Sequence, residues 1–131
     1  MMAFRIHTGI LVTAALIVVV GCASSVSTIR YANVPDYPPN APANVQILRS
    51  EPARPHQQLG EITVAAPGNT ESAAREVEEK LRTAAARLGA SAVVLVVDPL
   101  QPDKVASRTW WGGPAGARSG RDVIGVAIRY R

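Results

Sequence analysis

One cysteine in 131 residues leaves this chain unable to close a disulfide on itself. Its stability must come from a packed core, which is demanding at this size. Histidine is nearly as scarce: beyond residue 22 there is only His56, and no cysteine. Metals of the zinc type are held by clusters of Cys, His or carboxylate side chains, so no metal and no cofactor is expected. Hydrolytic chemistry needs a nucleophile, a base and an orienting group brought together. His56 stands in the polar turn Arg54-Pro55-His56-Gln57-Gln58, where a solvated imidazole is expected rather than a base. A phosphate-cradling loop is missing too, because Gly112-Gly113-Pro114-Ala115-Gly116 lacks the Lys-Ser/Thr that such a loop carries. The chain does not read as an enzyme. Its net charge of +4 is mildly basic and gives no nucleic-acid signature. No apolar run reaches the roughly 20 residues a membrane-spanning helix needs.

What is present begins with the run at residues 10–20, eleven apolar or near-apolar residues preceded by Arg5. A charged start followed by a short apolar core is the pattern of a secretory signal. The run ends in Val19-Val20-Gly21-Cys22. Small Gly21 before the cysteine and aliphatic Val19 three residues before it resemble the bacterial lipobox. That resemblance implies cleavage of residues 1–21, a diacylglyceryl group on the Cys22 thiol and acylation of its freed amine. Two or more acyl chains anchor stably where one does not. Ala23 rather than Asp after the cysteine implies, by the same resemblance, release to the outer membrane, facing the periplasm. The competing reading is an uncleaved apolar segment with a buried thiol.

Residues 22–44 read as a lipidated cysteine and a proline-rich tether. Pro35, Pro38, Pro39 and Pro42 fall within it, and proline removes an amide donor and restricts the residue before it. As a flexible coil such a segment would span about 25 Å, and fully extended about 70 Å. Tyr31 and Tyr37 lie within it.

From residue 45 the pattern is that of a single domain, 45–131. Residues 45–49 read as a short strand. Residues 59–65 alternate, with Ile62 and Val64 on one side and Glu61 and Thr63 on the other, which is a half-buried strand. A helix follows. Asn69 or Thr70 can cap it, and Glu71 suits its positive end. Ala74, Val77, Leu81, Ala84, Ala85 and Leu88 recur at three- and four-residue steps. Glu71–Arg75, Glu76–Lys80 and Glu78–Arg82 are spaced four apart with the acid first, the better orientation. Gly89 is a natural stop. Residues 92–97 are wholly apolar, as in a central strand. Residues 122–130 alternate again, with Ile124, Val126, Ile128 and Tyr130 on one face and Val123, Gly125 and Ala127 on the other.

The expected fold is α+β: a small antiparallel or mixed four-stranded sheet in the order β-β-α-β-β, with one helix on one face. The small-residue face at Gly125 and Ala127 is where the alanine-rich helix should dock. The opposite face, joined by Ile62 and Val64, is then left apolar. It needs a cover, either the long loop at 98–120 or another protein, including a second copy. That loop holds both tryptophans, in Arg108-Thr109-Trp110-Trp111-Gly112-Gly113, with Arg118 downstream. Trp and Arg are favoured interface anchors. Trp110, Trp111, Arg108 and Arg118 are therefore the candidate interaction residues, unless the loop folds back onto the domain.

Leu88-Gly89-Ala90-Ser91-Ala92-Val93-Val94, running from the helix end into a valine-rich strand, and Gly125-Val126-Ala127-Ile128 in the last strand resemble the YbjQ-like superfamily. Its members include small domains labelled as heavy-metal binders and envelope lipoproteins, among them the outer-membrane sensor of the Rcs stress system. The resemblance covers residues 45–131 and implies the fold. Metal binding does not carry over residue by residue, because the ligands are missing, and the sensor's disulfides have no counterpart here. The sequence thus leads to a non-enzymatic, lipid-anchored envelope module for structure or protein interaction, with an envelope protein or a second copy as partner and no nucleic acid. The alternatives are a ligand- or cell-wall-glycan-binding module using the Trp loop, and a stress sensor by family likeness.

Overall fold

The computed structural model describes residues 25–116 and 119–131. The segment read as a signal, the lipidation site Cys22 and the candidate Arg118 lie outside the described residues.

Five strands form one sheet: β1 (Val26–Arg30), β2 (Gln46–Leu48), β3 (His56–Ala65), β4 (Ala92–Val97) and β5 (Asp122–Tyr130). A long helix, α1 (Glu71–Arg87), joins β3 to β4, and a one-turn helix, α2 (Arg108–Trp111), lies between β4 and β5. The sheet order is β1-β3-β5-β4-β2. Only the β2–β4 pair is parallel, so the sheet is mixed.

The expectation of four strands is corrected to five. The extra strand, β1, comes from the segment read as an unstructured tether, and it pairs with β3 from Val26↔Val64 to Arg30↔Gly60. The rest of that segment also lies on the domain. Val34 and Tyr37 pack against the core, the Tyr37 hydroxyl donates to Gln57 at 2.7 Å, and Asn40 N donates to Ala86 O at 2.8 Å. Among the described residues there, the only helical turn is the three-residue 3-10 turn Pro42–Asn44, and the prolines do not prevent the chain from running along a surface.

Helix α1 forms where its periodicity places it. The Thr70 hydroxyl accepts from Ala73 N at 3.1 Å and caps the first turn. The three acid-first pairs are present, and Arg82 also reaches Glu79. Gly89, at φ +74°, ends the helix in a conformation that costs other residues energy. The buried stripe is Ala73, Val77, Leu81, Ala84, Ala85 and Ala86. It is shifted slightly from the expected one, with Ala74 and Leu88 only partly covered.

The helix docks on the face expected from the small residues of β5. Leu81 is fully buried there with Leu59, Val93, Leu95, Val123 and Ala127. Burying a leucine side chain of this kind stabilises by about 1.5–3 kcal/mol. The close approach depends on Gly125, where a Cβ would lie 2.3 Å from Val93 Cγ1 and 3.5 Å from Leu81 Cδ2. Ile62 and Val64 belong to this helix face, not to the opposite one as expected. The pairing of β3 with β5 sets Ile62 against Gly125 and Glu61 against Val126, so the two alternations are in phase.

The second face carries Ala92, Val94, Val96, Ile124, Val126 and Ile128, all buried. Its cover is the segment after β4. Ala106 and Trp111 are buried against it, with Tyr31, Trp110 and Tyr130 at the margin. The loop therefore folds back, and the domain has three layers: α1, the sheet and the Trp loop.

Candidate functional site

A group of polar and aromatic side chains, Tyr31, His56, Gln58, Glu61, Trp110 and Trp111, meets where the Trp loop crosses the second face. Ser107 begins the loop's single helical turn, its hydroxyl accepting from Trp110 N at 3.4 Å. Gly112 closes that turn at φ +85°. One turn sets the two adjacent tryptophans in different directions, because successive helical residues do not share a face.

Trp111 points at the sheet and is 9% exposed. Its indole Nε1 donates to Glu61 Oε2 at 3.3 Å, and Ala115 N donates to the same oxygen at 3.0 Å. Glu61 is 2% exposed, in the middle of β3. A carboxylate with two N–H donors is a strong acceptor, so Glu61 pins both ends of the Trp111–Ala115 segment. Tyr31, just past β1, is half-buried beside this group. Burial raises its pKa above 10.0 and the Glu61 charge adds to that, while a hydrogen bond from the Trp111 side chain acts in the opposite sense.

Trp110 turns toward the end of the sheet and is half-buried. Its Nε1 donates to His56 Nε2 at 3.3 Å, and the two rings are tilted at 48° with centroids 5.8 Å apart. With Nε2 accepting, His56 Nδ1 carries the proton and donates to Arg54 O at 2.8 Å. Gln58 Nε2 donates to Trp110 O at 3.3 Å. Both nitrogens of His56 are thus engaged in holding the loop. The expectation of a solvated turn histidine is corrected, since His56 is the first residue of β3 and half-buried.

Of the four candidate interaction residues, Trp110 and Trp111 are brought to one site and face inward. Arg108 is exposed at the start of α2, and Arg118 lies outside the described residues. Among the described residues, no three His, Cys, Asp or Glu side chains come together as a metal would require. Sequence reasoning placed Glu61 on a polar strand face and Tyr31 in a solvated linker. Nothing in their neighbours marks either as a contact of the Trp loop.

The arrangement is a polar latch under an apolar cover. It fixes the loop chemically, and it presents no nucleophile next to a base. Compared with family models, curated proteins and solved structures, the chain has no match.

Proposed function

We propose that this chain is a non-enzymatic lipoprotein of the bacterial envelope, anchored in the outer membrane through Cys22 and facing the periplasm, whose domain works by binding a protein partner. The anchoring part of the reading is supported by Val19-Val20-Gly21-Cys22 at the end of an eleven-residue apolar run. No helix among the described residues is long and apolar enough to cross a membrane. The family resemblance of residues 88–94 and 125–128 is retained as part of the proposal.

The observation that carries the binding reading is β1. Among the described residues it lies at the edge of the sheet, paired on one side only, and all five of its residues are exposed. Val26 and Ile29 are the exposed large hydrophobic residues of the described chain. An open strand edge is a template for pairing with another chain. The glycan-binding alternative has less support, because the Trp111 ring is buried and the Trp110 N–H is engaged by His56.

Two measurements test the proposal. Metabolic labelling with a fatty-acid analogue should mark the wild type and not Cys22→Ser, which should also leave the membrane fraction. A membrane-bound, unlabelled wild type would refute the anchor. Separately, a photo-crosslinking residue at Ile29 should capture a defined protein in intact cells, while one at the exposed loop position Gln101 should not. Equal capture at both positions would refute β1 as the docking edge.

A further inference from the structure

Five basic side chains among the described residues, Arg30, Arg49, Arg75, Lys80 and Arg82, each face a carboxylate. Arg54 and Arg129 do not, although they line one open cleft of about 440 Å³ at the end of the sheet where β3 begins and β5 ends. Their faces are occupied. Arg54 stacks over the Tyr130 ring at 4.2 Å, and Arg129 stacks over the Tyr37 ring at 4.2 Å. Arg129 Nη1 also donates to Gly89 O at 3.0 Å.

A guanidinium stacked on an aromatic ring can still use its in-plane N–H groups, those other than the Gly89-bound Nη1 at Arg129, and such an edge is the part that grips a carboxylate or phosphate in two-point fashion. Stacking also removes much of the side-chain entropy that an ordinary surface arginine loses on binding. A third donor sits in the same cleft. Ser91 Oγ accepts from Tyr130 N at 3.2 Å, which leaves its hydroxyl proton available. No acidic side chain lines the cleft.

We infer that the cleft between Arg54 and Arg129 is a binding site for an oxyanion, a carboxylate or phosphoryl group carried by a ligand of the folded domain. The two guanidiniums supply the charge and the fork geometry, Ser91 supplies a short-range donor, and Tyr37 and Tyr130 hold the arginines in place. No residue of the Trp loop or of β1 lines the cleft, although Tyr130 also borders the face that the loop covers.

The test uses the full chain in detergent micelles at low salt. One arm titrates inorganic phosphate, the other N-acetyl tri-alanine with a free carboxylate, each followed by backbone amide shifts. The expected result is saturable shifts centred on Gly89, Ser91 and Tyr130 with at least one probe. Arg54→Gln should weaken binding about tenfold or more, since it removes one charged fork and its stacking on the Tyr130 ring. Arg129→Lys, which keeps the charge and loses the fork, should weaken it as well. Saturation by phosphate alone assigns a phosphoryl ligand, and saturation by the peptide assigns a carboxylate. No saturation below about 10 mM with either probe, or affinity unchanged in a folded Arg54→Gln protein, would overturn the inference.

Discussion

Trp111 and Glu61, fifty residues apart in sequence, meet at 3.3 Å between the indole Nε1 and the carboxylate Oε2. This contact ties the segment after β4 to the middle of β3. It explains why a loop with no periodicity is nonetheless ordered against the sheet. Removing the carboxylate takes the acceptor from the buried indole N–H of Trp111 and from the part-buried amide of Ala115. Glu61→Ala should therefore destabilise the domain by about 2–5 kcal/mol, and Glu61→Gln, whose amide oxygen still accepts, by about 1–2 kcal/mol. Urea unfolding of the two variants checks the order. Equal losses would mean that packing rather than hydrogen bonding holds the loop.

The two tryptophans should separate in fluorescence. Trp110→Phe leaves Trp111 as reporter, with blue-shifted emission and poor quenching by a polar quencher. Trp111→Phe leaves Trp110, with emission to the red and readier quenching. Trp111→Ala should cost about 3–5 kcal/mol, and Trp110→Ala clearly less, in line with their burial. The reverse order in thermal melts would show the opposite ring to be the one under the cover.

Gly125→Ala tests how tightly α1 is seated. The added Cβ would meet Val93 Cγ1 at 2.3 Å, and a β-branched side chain on a strand has little freedom to move away. A loss of about 1–3 kcal/mol is expected from overpacking. Val93→Ala removes the obstructing methyl groups. The double variant should then be less destabilised than the two single losses added together, a coupling that a denaturation cycle measures directly. Additive losses would indicate that the helix, not Val93, sets the limit.

Tyr31 predicts how the domain responds to alkali. Burial first, and the Glu61 charge second, raise its folded pKa above the ordinary 10.0. The unfolded chain releases this proton first as pH rises. The contribution to stability is therefore complete below about pH 10 and declines as pH climbs through the folded pKa. Tyr31→Phe should flatten that part of the pH profile while leaving the neutral region nearly unchanged. An identical alkaline decline in the variant would place its origin elsewhere.

Helix α1 and β5 were legible because each buries a periodic set of apolar side chains, and β4 because all six of its residues are apolar. The choice of docking face could also be read, from the small residues at 125 and 127. Strand β1 could not. Its residues Val-Ser-Thr-Ile-Arg are all exposed, so its place is secured by backbone pairing with β3, which leaves no hydrophobic period. The first part of β3 was missed for a related reason, since Gln57 and Gln58 look like turn residues while their backbones pair with Arg129 and Ile128. Glu61 was hidden by a long-range contact. An acid on the alternate face of a strand reads as solvent-facing until a distant segment covers it, and that segment shows no period of its own.

The place of β1 in the sheet changes how far the domain can travel. Ser25 O accepts from Ala65 N at 3.2 Å, so the chain is fixed to the far end of β3 at residue 25. From Cys22 to that point the chain can extend only about 11 Å, at 3.8 Å between successive Cα atoms. A lipid on Cys22 would then hold the domain close to the bilayer instead of letting it range on a long leash. The ten residues of β3 run about 30 Å from Ala65 to His56. The Arg54–Arg129 cleft sits at that opposite end, so a lipid on Cys22 would leave it on the side away from the bilayer. Such a protein would fish from the membrane surface with a fixed reach, which selects for targets that stand at one height above the bilayer.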